Sequence, residues 1–470
     1  MRLLLPTGSA TAAIVRKAAE GMDADVVVTG EIASFLSPAQ LKGLLKDGKY
    51  DLVLVSGMST TSFEEVEKET GIPVCRGPRH AADLELILPL LGTVTLSRTV
   101  PADELLGERR REEAMRTVAE REEEADSDYL IRGVKIGGTS RMKVLAEIMD
   151  AHREPDILAR AEEFFAAGAD IVDLGFGFDA TPADVKRVFS ELGGVSGPLA
   201  VDTQDPALIA ASLDRADLVL SLHEGNIPAV GSLLGEYGTG AVVVPGQRTL
   251  AENIRAAAEA GISCIIADPL LPPAGSGLVP ALRNFQPAGY PLFFGAGNVV
   301  ELLDADSIGA NAVLAGMARE VNAAVIFTSE HSDKTQGSIA EMRRATEMMV
   351  LTEGRPYPKD LGIDLLVIKE KRRRREPPVR YERVVPELPL PKEIRYDPCG
   401  NFRIGIDGDQ IVAVIAGRAY RGTSWACLFH TIRENGDVSL LDHAAYLGAE
   451  LFKAELALQF GRSFEQDGPF

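Results

Sequence analysis

Short apolar runs alternate with helix-forming stretches eight times across residues 131–352, and this repeat constrains the fold of the 470-residue chain most. Ala-Gly pairs that end helices recur directly before runs, as at Ala167-Gly168 and Ala260-Gly261. The predicted strands are Gly133–Ile136, Asp170–Leu174, Leu199–Val201, Leu218–Leu222, Ala241–Val244, Cys264–Ala267, Leu292–Phe294 and Ala323–Phe327. Eight βα units in about 220 residues predict an α/β protein with a TIM (β/α)8 barrel. A doubly wound sheet would show fewer strands and a phosphate-loop fingerprint.

Regions of different character flank the repeat. Residues 1–100 alternate short apolar runs with helix candidates, which predicts an open α/β, Rossmann-like domain. Residues 101–130 carry charges of both signs at helical spacing and predict a charged linker helix. Residues 353–470 contain a predicted hairpin and a long amphipathic helix, Asp442–Phe460. We therefore expect a small C-terminal α+β domain after the barrel.

Composition excludes several classes of function. The net charge is 49 − 69 = −20, which disfavours nonspecific binding to nucleic acid or to an anionic membrane. The basic run Lys369–Arg375 is short and lacks interleaved aromatic residues, so it does not indicate a nucleic-acid site. Four cysteines without CxxC spacing indicate free thiols in a reducing cytoplasm rather than a metal site. No apolar run reaches the roughly 18 residues that a membrane span needs.

Polar residues close several predicted strands, at the barrel end where active sites are built. Asp173 and Asp202 belong to strands two and three, Asp268 follows strand six and Asn298 follows strand seven. One such carboxylate is often a structural helix cap, but Asp202, Asp268 and Asn298 together suggest a ligand. A carboxylate can accept the adjacent N–H and NH2 groups of a 2-amino-4-oxo-pyrimidine ring. The sequence therefore predicts a pterin site.

Three segments resemble the pterin-binding barrels, a family of dihydropteroate synthases and methyltetrahydropterin methyltransferases. The segments are Ala167–Gly175, Leu199–Thr203 and Ile265–Pro269. The whole chain resembles the archaeal dihydropteroate synthase-related proteins, which flank such a barrel with an N-terminal α/β domain and a C-terminal extension. The resemblance implies that Asp202 and Asp268 hydrogen-bond the pterin, with Asp173 and Asn298 in the same site.

The chain departs from the synthase pattern in several places. Gly137–Arg141 stands where synthases carry the Asn-x-Thr-x-Asp-Ser-Phe loop after strand one, and Leu220-Ser221 replaces their strand-four Asn-Asp pair. Gly295–Asn298 and Ser329–His331 replace segments that supply Lys and Arg, which removes two cations from the phosphate side. Gly295–Asn298 and Asp268-Pro-Leu are instead similar to the methyltransferase branch.

The loop after strand eight is a second candidate site. Thr335, Gly337 and Ser338 precede a helix, and this corner of a barrel often binds phosphate through backbone N–H groups. The alternative is a capped helix with a polar loop. A phosphate here would belong to a phosphorylated arylamine co-substrate. The candidate catalytic residues on this anionic side are His331, Lys334 and Arg248.

The resemblance implies a transferase of archaeal one-carbon metabolism. In the leading hypothesis an arylamine displaces diphosphate from a hydroxymethyl-dihydropterin, in tetrahydromethanopterin- or folate-type biosynthesis. One alternative is methyl transfer from a methyl-tetrahydropterin to a corrinoid, which would then be the cofactor. Another is a non-catalytic pterin-binding or scaffold protein. The sequence leaves a Mg²⁺ requirement and a homodimer open, and the expected partners include neither nucleic acid nor membrane.

Overall fold

The computed structural model describes residues 1–46, 49–286, 289–353, 358–359, 361–369, 379–389 and 395–469. Residues 370–375 of the predicted basic run lie outside this set. Two compact units are present, Met1–Leu366 and, with Val367–Lys369, the described residues from 379 onward. The domain boundaries expected after residues 100, 130 and 352 stay predictions. The four cysteines form no disulfide. None of the helices in the described ranges is long and apolar enough to span a membrane.

The first unit opens with a small parallel sheet. Its strands are β1 (Leu3–Gly8), β2 (Ala24–Gly30), β3 (Leu52–Val55) and β4 (Val74–Arg76), in the order β2-β1-β3-β4. The helices are α1 (Ala12–Ala18), α2 (Pro38–Leu45), α3 (Glu64–Thr70) and α4 (Leu84–Ile87). Apolar clusters lie on both faces of the sheet, around Leu4 on one face and Leu3 on the other. This arrangement is the open α/β sheet expected from the alternation.

A long helix and a hairpin lead into the barrel. Helix α5 (Ala102–Glu124) is followed by the antiparallel strands β5 (Tyr129–Ile131) and β6 (Val134–Ile136). The prediction that residues 133–136 form the first barrel strand is therefore wrong. Ile131 and Ile136 instead pack into the interior barrel cluster, beside residues that begin barrel strands. The short apolar run has the local signature of a strand, but the hairpin covers the N-terminal end of the barrel.

The eight barrel strands form a closed parallel sheet that confirms the predicted fold class. They are β7 (Lys143–Ile148), β8 (Ile171–Gly175), β9 (Leu199–Asp202), β10 (Leu218–Leu222), β11 (Gly240–Val243), β12 (Ile265–Ala267), β13 (Leu292–Phe294) and β14 (Ala323–Ser329). The barrel closes where β14 pairs with β7, from Val325 opposite Lys143 to Ser329 opposite Glu147. The loop Gly137–Arg141 therefore precedes the first barrel strand, and the comparison with the synthase loop after strand one is wrong.

Helices cover the outside of the barrel. They are α6 (Ile157–Ala167), α7 (Pro182–Glu191), α8 (Pro206–Ser212), α9 (Ile227–Tyr237), α10 (Leu250–Glu259), α11 (Leu278–Ala281), α12 (Gly297–Val300), α13 (Ser307–Glu320) and α14 (Ser338–Val350). Several begin at a side-chain cap, and Thr181 and Thr249 form full capping boxes with Asp184 and Glu252. Helix α6 ends at Gly168, whose φ of +115° requires a residue without a side chain.

Two apolar layers sit on either side of the barrel wall. Alternate strand residues face the helices, for example Val172 and Leu174. Their neighbours, including Leu145, Ile171 and Ala200, form the interior cluster. The residue two positions after each of these interior residues faces the same side of the strand. It therefore also faces the barrel interior, nearer to the carboxyl end of the barrel.

The second unit is a small α+β structure. Strands β15 (Arg403–Asp407), β16 (Gln410–Ile415) and β17 (Arg418–Gly422) form an antiparallel sheet. Helices α15 (Trp425–Glu434) and α16 (Leu441–Phe460) pack on it through Leu428, Leu447 and Leu451. The predicted hairpin corresponds to β15 and β16, and the predicted long helix corresponds to α16. Strand β17 and helix α15 are the other elements of this unit.

Candidate active site at the carboxyl end of the barrel

Three carboxylates form one cluster on three neighbouring barrel strands. Glu147, Asp173 and Asp202 each stand two residues after an interior apolar residue of β7, β8 or β9. Glu147 lies opposite Asp173 in the strand pairing, and Gly175 lies opposite Asp202. One oxygen atom of each carboxylate lies within 4.8 Å of the others. We call Glu147, Asp173 and Asp202 the carboxylate trio.

Asp173 is the buried member of the trio, while Glu147 and Asp202 are half-buried, and no cation balances their charges among the described residues. Asp173 is fully buried, and neither carboxylate oxygen has a hydrogen-bond partner among the described residues. Burial, together with the charges of Asp202 and Glu147, raises the pKa of Asp173 well above its ordinary value. Burial and the charge of Asp202 raise the pKa of Glu147 to about 7, and burial raises the pKa of Asp202 to about 6. Protons or a cation must therefore offset the negative charge here.

Gly175 makes room for the trio. A Cβ atom at this position would lie 2.6 Å from Oε1 of Glu147, closer than real Cβ contacts occur. A side chain at residue 175 would therefore displace the Glu147 carboxylate. The sequence around Gly175 indicates only that a loop begins there. The barrel structure shows that the absence of a side chain at residue 175 leaves space for the Glu147 carboxylate.

Asp268 and Asn298 occupy other positions at the same end of the barrel. Asp268 follows β12, two residues after the interior residue Ile266, and is 6% exposed. Its Oδ1 accepts the backbone N–H of Leu270 at 2.8 Å, and burial raises its pKa to about 7. No cation pairs with Asp268 in the part of the chain that the structure describes. Asn298 is exposed in α12, and its side chain makes no hydrogen bond to another described residue.

The loop after β14 already binds a carboxylate of the chain. Glu301 accepts hydrogen bonds from this loop, and they outweigh the effect of burial and lower its pKa. The donors are Oγ of Ser329 and Ser332, Oγ1 of Thr335, and the backbone N–H groups of His331 and Ser332. A phosphate would reach Thr335 only by displacing Glu301.

The other predicted phosphate ligands are also engaged. Ser338 is buried, with its hydroxyl bonded to Asn311 and Thr328. Gly337 precedes α14 with φ +87°, and the first turn of that helix donates the Ile339 N–H to Glu330 at 3.0 Å. Both anion-binding features of this corner, the hydroxyl groups and the helix start, are occupied by carboxylates or amides of the chain.

Within the described ranges, none of the three predicted catalytic residues forms a hydrogen bond or an ion pair with the trio. Lys334 donates to the backbone oxygen of Leu303 at 2.8 Å and to Asp304 at 3.3 Å. His331 is exposed and uses its backbone N–H, and Arg248 is exposed in the loop after β11. Their assigned roles stay predictions.

Two residues of this site escaped the sequence analysis. Glu147 is absent from the predicted site because the prediction puts the first barrel strand at residues 133–136. The segment Leu145-Ala-Glu147 has the same form as Ile171-Val-Asp173, an interior apolar residue followed two positions later by a carboxylate, and this signal was available. Glu301 has no such signal, since its role depends on the distant loop after β14.

Comparison with known proteins finds one relative along almost the whole chain and others along parts of it. Residues 396–467 match the family described as PterinBD-DUF4346. The uncharacterized protein MJ0107 of Methanocaldococcus jannaschii is 33% identical, over 99% of this chain and 98% of its own length. Subunit gamma 2 of the acetyl-CoA decarbonylase/synthase complex of Methanosarcina thermophila is 28% identical over 33% of this chain and 38% of its own length. The dihydropteroate synthase of Thermus thermophilus is 21% identical, with a TM-score of 0.36 over 44% of this chain and 92% of that chain.

Proposed function

The chain belongs to the family of MJ0107, a family of dihydropteroate synthase-related pterin-binding barrels, and we propose that Asp202 and Asp268 bind the amino edge of a reduced pterin. The ring would lie at the carboxyl end of the barrel, with Asn298 at its rim and Asp173 beneath it. The N–H and NH2 groups of a pterin match two acceptors of this kind.

Unused acceptor capacity carries this proposal. The Asp202 carboxylate accepts no hydrogen bond from a described residue, and the Asp268 carboxylate accepts one, from the Leu270 backbone N–H at 2.8 Å. Buried carboxylates normally have partners, because an unpaired charge away from water is costly. The buried carboxylate of Asp268, just beyond β12, and the half-buried carboxylate of Asp202, at the end of β9, are therefore suited to an uncharged ligand that brings N–H donors.

For the reaction, we propose condensation of a hydroxymethyl-dihydropterin diphosphate with an arylamine, in tetrahydromethanopterin- or folate-type biosynthesis. The resemblance of Ala167–Gly175, Leu199–Thr203 and Ile265–Pro269 to the pterin-binding barrels supports this proposal. His331, Lys334 and Arg248 are the candidates for contacting the anionic groups of the substrates. His331 and Arg248 are exposed, and Lys334 is half-buried. A phosphorylated arylamine and a homodimer remain part of the same proposal.

A second candidate is methyl transfer from a methyl-tetrahydropterin, and the charge of the barrel mouth favours it. The charges of Asp150, Asp202 and Glu301 all act on Glu147, so the region around the trio is strongly acidic. A diphosphate would be repelled there unless a cation intervened, whereas a methyl group carries no such charge. The similarity to subunit gamma 2 of the acetyl-CoA decarbonylase/synthase complex of Methanosarcina thermophila is compatible with this candidate.

Binding and turnover assays test these proposals in sequence. The full chain is titrated with 6-hydroxymethyl-7,8-dihydropterin by calorimetry, with adenine as a control ring that lacks adjacent N–H and NH2 donors. We expect saturable binding of the pterin alone. Diphosphate release with the diphosphate ester and 4-aminobenzoate would support condensation, and methylation of a reduced cobalamin would support methyl transfer. Binding without either turnover would indicate a non-catalytic protein, and no pterin binding would overturn the proposal.

We predict that pterin binding strengthens as pH rises. Burial raises the pKa of Asp268 to about 7, and only the ionised carboxylate accepts both ring donors. Below this pKa the group is protonated, so affinity should fall about 10- to 30-fold between pH 8 and pH 5.5. Calorimetric titrations at four pH values measure the effect. Asp268→Asn should show a flatter profile, and a flat profile in the unmodified protein would contradict the prediction.

A further inference from the structure

The carboxylate trio has the donor set of a cation site. Glu147, Asp173 and Asp202 each offer an oxygen atom, and the three atoms lie within 4.8 Å of one another. They come from three adjacent strands of a closed barrel, so hydrogen-bonded strands rather than loops set their positions. Among the described residues, no other set of three His, Cys, Asp or Glu side chains has this spacing.

Asp173 supplies the observation that points to a ligand. Its side chain is completely buried, it faces the other two carboxylates, and both oxygens lack a hydrogen-bond partner within the described ranges. No lysine, arginine or histidine of those ranges forms an ion pair with any member of the trio. A buried carboxylate in a protein is ordinarily paired or coordinates a metal. The two further carboxylates beside Asp173 add negative charge, so more positive charge is needed to balance the site.

We propose that Glu147, Asp173 and Asp202 bind one hard divalent cation of the Mg²⁺ or Mn²⁺ class. Carboxylate oxygens are the ligands such ions prefer, and water completes their coordination where the protein supplies only a few groups. A soft or thiophilic metal is disfavoured, because the trio contains neither thiol nor imidazole. Gly175 contributes to the cation site, since the absence of a side chain at this residue leaves the space that the Glu147 carboxylate occupies.

The cation site shares Asp202 with the proposed pterin site, and Asp173 would lie beneath the ring, but cation binding does not require a pterin. Asp173 lies deeper in the barrel than the rim residue Asn298, and Glu147 is not among the proposed pterin ligands. Cation binding can therefore be measured without a pterin and with variants at Glu147 and Asp173. Failure of one proposal leaves the other standing.

The test is a Mn²⁺ titration of the full chain after treatment with a chelator, with free Mn²⁺ followed by electron paramagnetic resonance. We expect one site per chain, competed by Mg²⁺, and at least 10-fold weaker binding in Glu147→Gln and Asp173→Asn. The matched control is Asp150→Asn, which removes a neighbouring carboxylate whose charge acts on Glu147 but which is outside the trio. Its left-handed backbone, with φ +50°, is one that asparagine adopts readily.

Gly175→Ala provides a test that changes no charge. The added Cβ would force Oε1 of Glu147 to move, so Mn²⁺ binding should weaken although all three carboxylates remain. Circular dichroism confirms that each variant is folded. The proposal is overturned if the unmodified chain binds no Mn²⁺ at millimolar concentration, or if Asp150→Asn weakens binding as much as the trio variants do.

Discussion

Asp170→Asn is expected to lower the free energy of unfolding by about 3–5 kcal/mol, the cost of removing one partner from a buried ion pair. The Asp170 carboxylate bonds Nη2 of Arg141 at 2.6 Å and Nη1 of Arg343 at 3.0 Å, and it accepts the Val144 N–H at 2.8 Å. Arg141 is only 6% exposed, so its charge would remain buried after the substitution. The network joins β7, β8 and α14, the elements that meet where the barrel closes.

Urea unfolding followed by far-ultraviolet circular dichroism measures this loss, because most of the secondary structure belongs to the first unit. The single tryptophan, Trp425, lies in the second unit and reports separately on that part by fluorescence. Asp179→Asn is the control, since Asp179 and its partner Arg153 are both largely exposed and their ion pair should contribute under about 1 kcal/mol. Equal midpoints for the two variants would contradict the prediction.

The same network predicts the direction of acid sensitivity. Burial alone would raise the pKa of Asp170, but Arg141 and Arg343 outweigh it and hold the pKa below its ordinary value. The stabilisation is therefore present above the pKa of the unfolded chain and is lost as pH falls through the lower folded value. The difference in stability between Asp170→Asn and the unmodified chain should shrink in acid.

Asp202→Asn and Asp268→Asn are each expected to weaken pterin binding about 10- to 150-fold, which corresponds to roughly 1.5–3 kcal/mol for hydrogen bonds to a charged group. An asparagine keeps one acceptor oxygen but adds an NH2 group that faces the ring donors. Both substitutions conserve side-chain shape, so the barrel should fold as before. Calorimetry with a reduced pterin gives the dissociation constants.

Asp333→Asn is the matched control for these affinity measurements. Asp333 is an exposed carboxylate in the loop after β14, at the same end of the barrel, and it is not a proposed ligand. We expect its dissociation constant to stay within about twofold of the unmodified value. If Asp202→Asn and Asp268→Asn also stay within that range, the carboxylates do not bind the ring. Pterin binding to Glu147→Gln is measured alongside. Glu147 is a proposed cation ligand but not a proposed pterin ligand, so this variant distinguishes a failure of the pterin site from a failure of the cation site.

The class of fold followed from local patterns. Apolar runs of strand length, separated by capped helices such as those that begin after Thr181 and Thr249, repeat often enough to require a closed barrel. Asp202 and Asp268 were identifiable because each directly follows such a run. Alternation along a strand is a property of a few consecutive residues, so it can be read without knowing the partners of that strand.

Which run begins the barrel could not be read locally. Val134–Ile136 and Lys143–Ile148 both have strand character, and the first of the two belongs to the hairpin. Only the pairing of β14 with β7 decides between them, because barrel closure joins residues that are far apart in the chain. That error concealed Glu147 and misplaced the Gly137–Arg141 loop.

By itself, then, the sequence determined the barrel, the flanking α/β and α+β regions, and the strand-end carboxylates Asp202 and Asp268, because each depends on short-range periodicity. Tertiary structure alone decided that Glu147, Asp173 and Asp202 meet as a trio, and that Glu301 fills the loop after β14. The physical reason is that electrostatic and hydrogen-bond partners are chosen by distance in space, and closing the barrel brings together groups that the chain keeps far apart.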